Sequence, residues 1–446
     1  MNNSIRPLRK LLLLLVICFH ALLLPPAASV QGFVATDVAR LKDDPPRVAA
    51  PKFYAVPSKA YSGNPVIDAL LSGFQWEEPV VTYSFYSDSA FGGDYYGSEA
   101  VSEVSETVKS NFRQIFKWLS NVVNVEFQEV AESAPGGYGI IRIMLSDGPT
   151  YAYSYFPSSF FPFGLAGDIH LNQSYQHALD LNGWETPQGY HGHAMLIHEL
   201  GHALGLKHPF EGNAILPPEQ DNQSHTVMTY AFSAYGPATF MTYDVLALQY
   251  LYGISPNQSD RTHYRVAPSI DRYRVGEAVL FDSASNFKQS IWDPEGVDTL
   301  DLSLLAYDLD GYRIDMRPGG WLSQNSGYDG ATFSCGIALC ENSFFENVLS
   351  SSSDDTIYLN EHPNRVGGYA PGRSTGRDRI EGADAQDAID LTRFEKTTVI
   401  QNRDGDDLVL DLSGYGTVRI EGYFTGNTPR LLFPVSLAPI YPLLFD

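Results

Sequence analysis

The stretch HELGHALGLKH, residues 198–208, sets the strictest condition on how this chain can fold. In a helix, His198 and His202 stand four residues apart and project from one face, about one turn from each other. Both imidazoles then reach a single zinc ion at about 2.0–2.1 Å. His208 joins them only if the helix ends, because ten further residues at a rise of about 1.5 Å would carry it roughly 15 Å along the axis. The helix is therefore expected to stop and the chain to turn back. Gly205 supplies the left-handed residue that such a turn needs, and Pro209 keeps the helix from resuming.

Three neutral histidines with one open position make a catalytic zinc site, since a structural site is closed by a fourth protein ligand. Glu199 points about 100° away from His198, so its carboxylate is expected to reach a water on the metal instead of the metal itself. Zinc lowers the pKa of that water and polarises a carbonyl, while Glu199 carries the proton to the leaving amine. Peptide bonds are the natural substrate. With His at 11 and Gly at 38 of 446 residues, the five fixed positions of HExxHxxGxxH arise by chance on the order of a few times in 100,000. An amphipathic core helix with incidental histidines is the weaker explanation.

HELGHALGLKHP, followed by TVMTY at residues 226–230, resembles the metzincin zinc endopeptidases, and TYDVLALQYLYG at 242–253 resembles their serralysin branch. The resemblance implies that Met228 forms a hydrophobic floor under the metal and that Tyr230 acts as an auxiliary catalytic residue near the zinc or the oxyanion. SGNPVIDALLSG and VTYSF are similar to the start of a serralysin catalytic domain. AGDIHLN, residues 166–172, is similar to its edge strand, which pairs antiparallel with a bound peptide. Recognition through backbone hydrogen bonds implies broad specificity. His191 and His193 are expected to be surface or packed histidines outside the site.

The apolar pattern around this centre is that of a packed domain. VVTYSFYS, VNVEFQEV, GIIRIMLS and GDIHLN read as strands, and Val101, Val104, Val108, Phe112, Ile115, Phe116 and Leu119 repeat like a buried helix face. A second helix is expected at TYDVLALQYLYG, with Thr242 as N-cap and Gly253 just past its end. Ahead of the domain, Arg6, Arg9 and Lys10 precede LLLLLVICFHALLL and a run of small residues. Residues 1–29 therefore read as a secretory signal peptide, and the proline-rich 30–60 as a linker or short prosegment. The mature chain is expected to be secreted, extracellular or periplasmic, and free of the membrane. The net charge of −23 without a basic patch excludes nucleic acid. Cys335 and Cys340, five residues apart, are expected to form a local disulfide in an oxidising compartment.

After residue 255 helical signals fade, and Asp, Gly, Ser and Asn gather between short apolar pairs. SIWDPEGVDTLDLS is similar to the opening of the calcium-binding beta-roll (RTX) domain that follows serralysin catalytic domains. Partial copies of its nonapeptide recur at EGVDTL, SSSSDDTI, GRDRI, ADAQDAI and DGDDLV, making Asp298, Asp355, Asp378, Asp387 and Asp407 candidate calcium ligands. No copy keeps all three glycines, so fewer ions than in a regular array are expected, or a plain Asx-turn-rich β domain. The family also usually lacks an amino-terminal signal, a departure that leaves the export route open.

The expected architecture is an α+β metzincin-like catalytic domain over 61–255, a twisted mixed sheet with the zinc helix. An all-β domain follows over 256–446, beta-roll-like or sandwich-like. The expected cofactors are one catalytic Zn2+ and Ca2+ in the second domain; the expected partners are protein or peptide substrates, with a proteinaceous inhibitor as a further candidate. The rival from another class is a non-catalytic binding or matrix protein on the same scaffold, against which an intact Glu199 speaks.

Overall fold

The computed structural model describes residues 55–57, 61–95, 99–133, 137–157, 165–256, 261–266, 274–275, 278–279, 288–329, 332–426 and 428–434. The expected signal peptide and most of the expected prosegment lie outside the described residues. Among the described residues no helix is long and apolar enough to cross a membrane.

The amino-terminal half is built on a twisted mixed sheet. Its strands are β1 (Val80–Phe85), β2 (Val101–Ser102), β3 (Glu126–Glu129), β4 (Ile141–Ser146), β5 (Ala152–Ser154) and β6 (Ile169–Asn172). Their order across the sheet is β3-β1-β4-β6-β5. The pairs β1–β3, β1–β4 and β4–β6 are parallel, whereas β5 runs antiparallel to β6 and β2 antiparallel to β4. The edge beside the helices is thus β5. Ile169–Asn172, expected at that edge, lies inside the sheet with β4 on one side and β5 on the other. The correction follows from register: β6 is paired on both flanks, so it has no free backbone for a peptide.

Helix α1 (Glu106–Ser120) covers one face. Phe112, Phe116 and Leu119 are buried on its inner side, and Phe116 stacks on Tyr83 of β1 with ring centroids 3.9 Å apart. Each such side chain contributes about 1.5–3 kcal/mol through removal from water. The apolar repeat that starts at Val101 suggests a longer helix. Ser105 cuts it short, because its hydroxyl accepts the N–H of Val108 and caps the first turn, leaving Val101 to pair in β2.

Helix α2 (His191–Ala203) lies on the same face of the sheet, sharing its apolar core with α1, and helix α3 (Thr242–Tyr252) packs nearby. Thr242, expected as the N-cap, is the first helical residue. The capping role falls to Asp244, whose Oδ2 accepts the N–H of Met241 at 2.8 Å. Gly253 closes α3 with φ of +83°, as its position predicts.

The carboxy-terminal half winds as a beta-roll between two parallel stacks of short strands. One stack holds Thr299–Asp301, Asn347–Leu349, Arg365–Gly367, Ala388–Asp390 and Arg430–Leu432 in that order. The other holds Tyr312–Asp315, Thr356–Tyr358, Arg377–Glu381 and Thr417–Ile420. The chain visits them alternately. Asn347 pairs with Arg365 and Arg365 with Ala388, steps of 18 and then 23 residues. The first step is two nonapeptides, and the second carries an extra loop.

The two halves share one continuous apolar core, from Ala69 to Ile420. The joint is β7 (Lys288–Ile291), whose Ser290 hydroxyl donates to the carbonyl of Phe240 at 2.6 Å and whose Lys288 carbonyl accepts from Ala238 at 2.7 Å. Trp321 and Ala338 of the roll pack on Met241. The expected disulfide does not form: Cys335 and Cys340 are both free thiols. They sit at opposite ends of the strand Gly336–Leu339, and at about 3.3 Å per residue their Cα atoms are separated by far more than the 7 Å a disulfide can bridge.

Candidate active site

Helix α2 ends where its sequence predicts. Gly205 has φ of +98°, its N–H donates to the carbonyl of His202, and the N–H of Leu206 reaches back to Gly201, both at 2.9 Å. This pair of bonds is a Schellman motif, which satisfies carbonyls that the helix end would leave bare. A side chain at 205 would also collide with the backbone: its Cβ would lie 2.2 Å from the carbonyl oxygen of Phe74. The reversal brings His208 back onto the zinc-helix histidines.

The Nε2 atoms of His198, His202 and His208 converge. Those of His198 and His208 are 3.2 Å apart, and those of His202 and His208 3.1 Å. All three residues are buried. The Nδ1 atoms face outward from this junction: that of His198 lies 2.9 Å from the carbonyl oxygen of Val227, and that of His202 lies 2.7 Å from that of Leu206. His208 Nδ1 lies 2.9 Å from Glu211 Oε1. A carbonyl oxygen accepts only, so the protons of His198 and His202 are on Nδ1 and their Nε2 atoms present lone pairs. Burial first, and then the neighbouring histidines, hold His198 down at about 3 and His202 well below the ordinary imidazole range, so both rings are neutral. Lone pairs crowded at these distances repel one another unless a cation lies between them. Separations of 3.1–3.2 Å are close to the edge of about 3.3 Å of a tetrahedron with zinc–nitrogen bonds near 2.0 Å. Among the described residues this is the one place where three His, Cys, Asp or Glu donors meet.

Glu199 is fully buried one residue along from His198. Its Oε2 accepts a hydrogen bond from the Ser154 hydroxyl at 2.8 Å, while its Oε1 is buried with no hydrogen bond. Burial pushes its carboxyl up to about 8, against the opposing pull of that hydroxyl. Met228 is fully buried under the helix: a Cβ on Gly201 would lie 2.5 Å from its Sδ. The ring of Tyr230 lies 4.5 Å from that of His208 and stacks 6.0 Å from that of His198. All six residues expected from the motif are thereby in one cluster. His193 is buried in α2, and His191 packs on Tyr151 and Phe232.

Several supporting residues carry no motif. Asp244 accepts from the hydroxyl of Thr226 at 2.5 Å and from the N–H of Val227 at 2.8 Å, which fixes the carbonyl of Val227 that orients His198. Lys207 Nζ donates to the carbonyls of Ala69, His208, Glu211 (2.7 Å) and Ala214 (3.0 Å), and so ties down the loop after the third histidine. Only Asp244 had a readable signal, an acid at the third position of a helix. Ser154 and Lys207 act through the tertiary fold.

Of the five candidate calcium aspartates, Asp355 and Asp378 are neighbours in adjacent coils, and each is held in hydrogen bonds of its turn. Asp355 accepts from the N–H and hydroxyl of Ser351, Asp378 from the N–H of Asp355 and the hydroxyl of Tyr369, and Asp387 from the N–H groups of Asn364 and Asp384. Asp407 pairs with Arg419 at 2.8 Å. Only Asp298 keeps a buried oxygen, Oδ2, with no hydrogen bond.

Residues 76–253 match the matrixin family of peptidases. The chain is 28% identical to serralysin of Proteus mirabilis over 321 residues, 64% of this chain and 60% of that protein. It is 26% identical to serralysin G of Dickeya chrysanthemi over 311 residues, with the same shares covered. It is also 26% identical to metalloprotease AprA of Pseudomonas entomophila, over 63% of this chain and 59% of that protein. The chain thus spans about 60% of the length of these curated relatives.

Proposed function

Because residues 76–253 match the matrixin family of peptidases and the chain is similar to serralysins, we propose that this chain is a secreted zinc endopeptidase. The observation that carries the proposal is the convergence of the Nε2 atoms of His198 and His202 on that of His208, at 3.2 and 3.1 Å, beside a buried carboxylate. His198, His202 and His208 would hold the metal, and zinc so held supplies a Lewis acid and a water acidic enough to be deprotonated near neutral pH.

The chain's own groups do the rest. Glu199 accepts the water's proton on one oxygen and delivers it to the leaving nitrogen, with Ser154 holding the other oxygen. Nearby positive charge would return its carboxyl from about 8 towards the range in which it is a base at neutral pH. Tyr230, packed against His208, is placed to steady negative charge on the substrate oxygen. The flank of β5 that pairs with no strand among the described residues would receive the peptide as an added strand, which favours broad specificity. For calcium, Asp298 is the one candidate of the five with a buried oxygen that makes no hydrogen bond.

The test is digestion of an unfolded protein by the purified chain with and without a zinc chelator, beside Glu199→Ala. Chelator-sensitive cleavage, absent from a variant that still holds one zinc per chain, is expected. Full activity in Glu199→Ala would sink the mechanism. No cleavage by a chain holding stoichiometric zinc would favour a binding protein on this scaffold.

A further inference from the structure

Ser154 joins two parts of the site that the zinc motif does not connect. It is the last residue of β5, the antiparallel strand at the sheet's free edge, and pairs with Ile169 of β6. Its hydroxyl leaves the strand and donates to Glu199 Oε2 on the zinc helix, at 2.8 Å. That bond spans 45 residues of sequence. It is the one side-chain hydrogen bond that Glu199 makes among the described residues, and the other carboxylate oxygen has none.

A glutamate has three rotatable side-chain bonds, and a carboxylate held at neither oxygen would sample several of their wells. Held at Oε2, it has one orientation in which Oε1 is left for a proton. We propose that Ser154 is a positioning residue for catalysis, setting the rotamer of Glu199 from the strand on which the substrate is laid. The proposal rests on the endopeptidase reading above. Its content is a mechanical coupling: the backbone of β5 that would receive the peptide and the hydroxyl that aims the base belong to the same residue. A peptide that settles in register along β5 is thereby aligned with Oε1, and a shift of the strand moves both together. The bland alternative is that the hydroxyl only staples β5 to α2, a role any residue restoring the packing would fill.

The experiment compares the wild-type chain, Ser154→Ala, Ser154→Thr and Glu199→Ala on one peptide substrate, measuring kcat, KM and bound zinc. Ser154→Ala is expected to lower kcat by about 10- to 100-fold, the range for a lost hydrogen bond to a charged group. KM should stay within about twofold and zinc stoichiometric, because no ligand and no backbone pairing is removed. Ser154→Thr, which keeps a hydroxyl, should recover most of kcat. Unchanged kcat in Ser154→Ala overturns the proposal. So does a loss expressed in KM, or one that Ser154→Thr shares in full, since either marks a role in packing or binding. An inactive wild-type chain would instead overturn the endopeptidase reading before any Ser154 variant is compared, and the proposal with it.

Discussion

At the scale of single residues, two glycines do different work, one inside helix α2 and one just past its end. Gly205 is required by its backbone, having φ of +98° and a carbonyl oxygen where a Cβ would sit. Gly201 is required by its neighbour, because Met228 Sδ occupies the space that a side chain would need. Gly201→Ala should therefore displace the methionine floor next to His202. A loss of about 1–3 kcal/mol in stability is expected from overpacking, together with weaker zinc retention in chelator competition. Unaltered melting and zinc affinity would show that Met228 can move aside. The histidines and Glu199 were legible in the sequence because helix geometry and one forced reversal bring them together, and Met228 and Tyr230 through the resemblance of TVMTY to the metzincins. Ser154 was not, since nothing local marks a serine whose only distinction is a partner 45 residues away.

At the scale of elements, strand identity was readable and strand position was not. GDIHLN is a strand as its composition predicts, yet it is enclosed between β4 and β5. The edge role passes to Ala152–Ser154, too short to announce itself by alternation. The roll shows the converse. Its parallel coils formed despite missing glycines, with aspartates accepting backbone N–H groups in the turns. Arg373 adds a tie of another kind. It lies in the loop that lengthens one coil, and its guanidinium donates to the carbonyls of Gly368 (2.8 Å), Ser350 (2.9 Å) and Ser303 (3.4 Å). Those carbonyls follow three adjacent strands of one stack. Arg373→Ala should cost about 2–4 kcal/mol, read as a lowered melting temperature, because it leaves partly buried carbonyls unpaired. Arg373→Lys should restore only part, since one ammonium cannot match the planar fork. Equal melting of Arg373→Ala and wild type would make the tie ornamental.

At the scale of the whole molecule, the continuous core makes the roll part of the amino-terminal half's support. Phe240 and Met241, behind the zinc helix, are covered by β7, Trp321 and Ala338. A chain truncated after residue 255 should melt at lower temperature and lose zinc more readily than the full chain, as measured by calorimetry and metal analysis. Equal stability would mean that the halves are independent. Acid sensitivity has its own source. Burial would raise the Glu99 carboxyl, but the His170 imidazole, with the hydroxyls of Ser146 and Tyr153, outweighs it and holds the group down at about 2. Its folded pKa lies below its unfolded value of 4.5, so its contribution is complete above about pH 4.5 and disappears as pH falls towards 2. Glu99→Gln should thus melt below wild type at pH 7, with the gap closing between pH 4.5 and 2. A gap independent of pH would assign the effect to packing.

Arg373 also bears on where and when the roll can assemble. A free ion at such a junction is governed by mass action, and coils that depend on one come together only where the surrounding fluid is rich enough in it. A guanidinium tethered to the loop has no concentration to fall below and nothing for a chelator to withdraw. For the coils around Ser303, Ser350 and Gly368, the chain carries its own counter-charge, and this tie does not vary with the composition of the surrounding fluid.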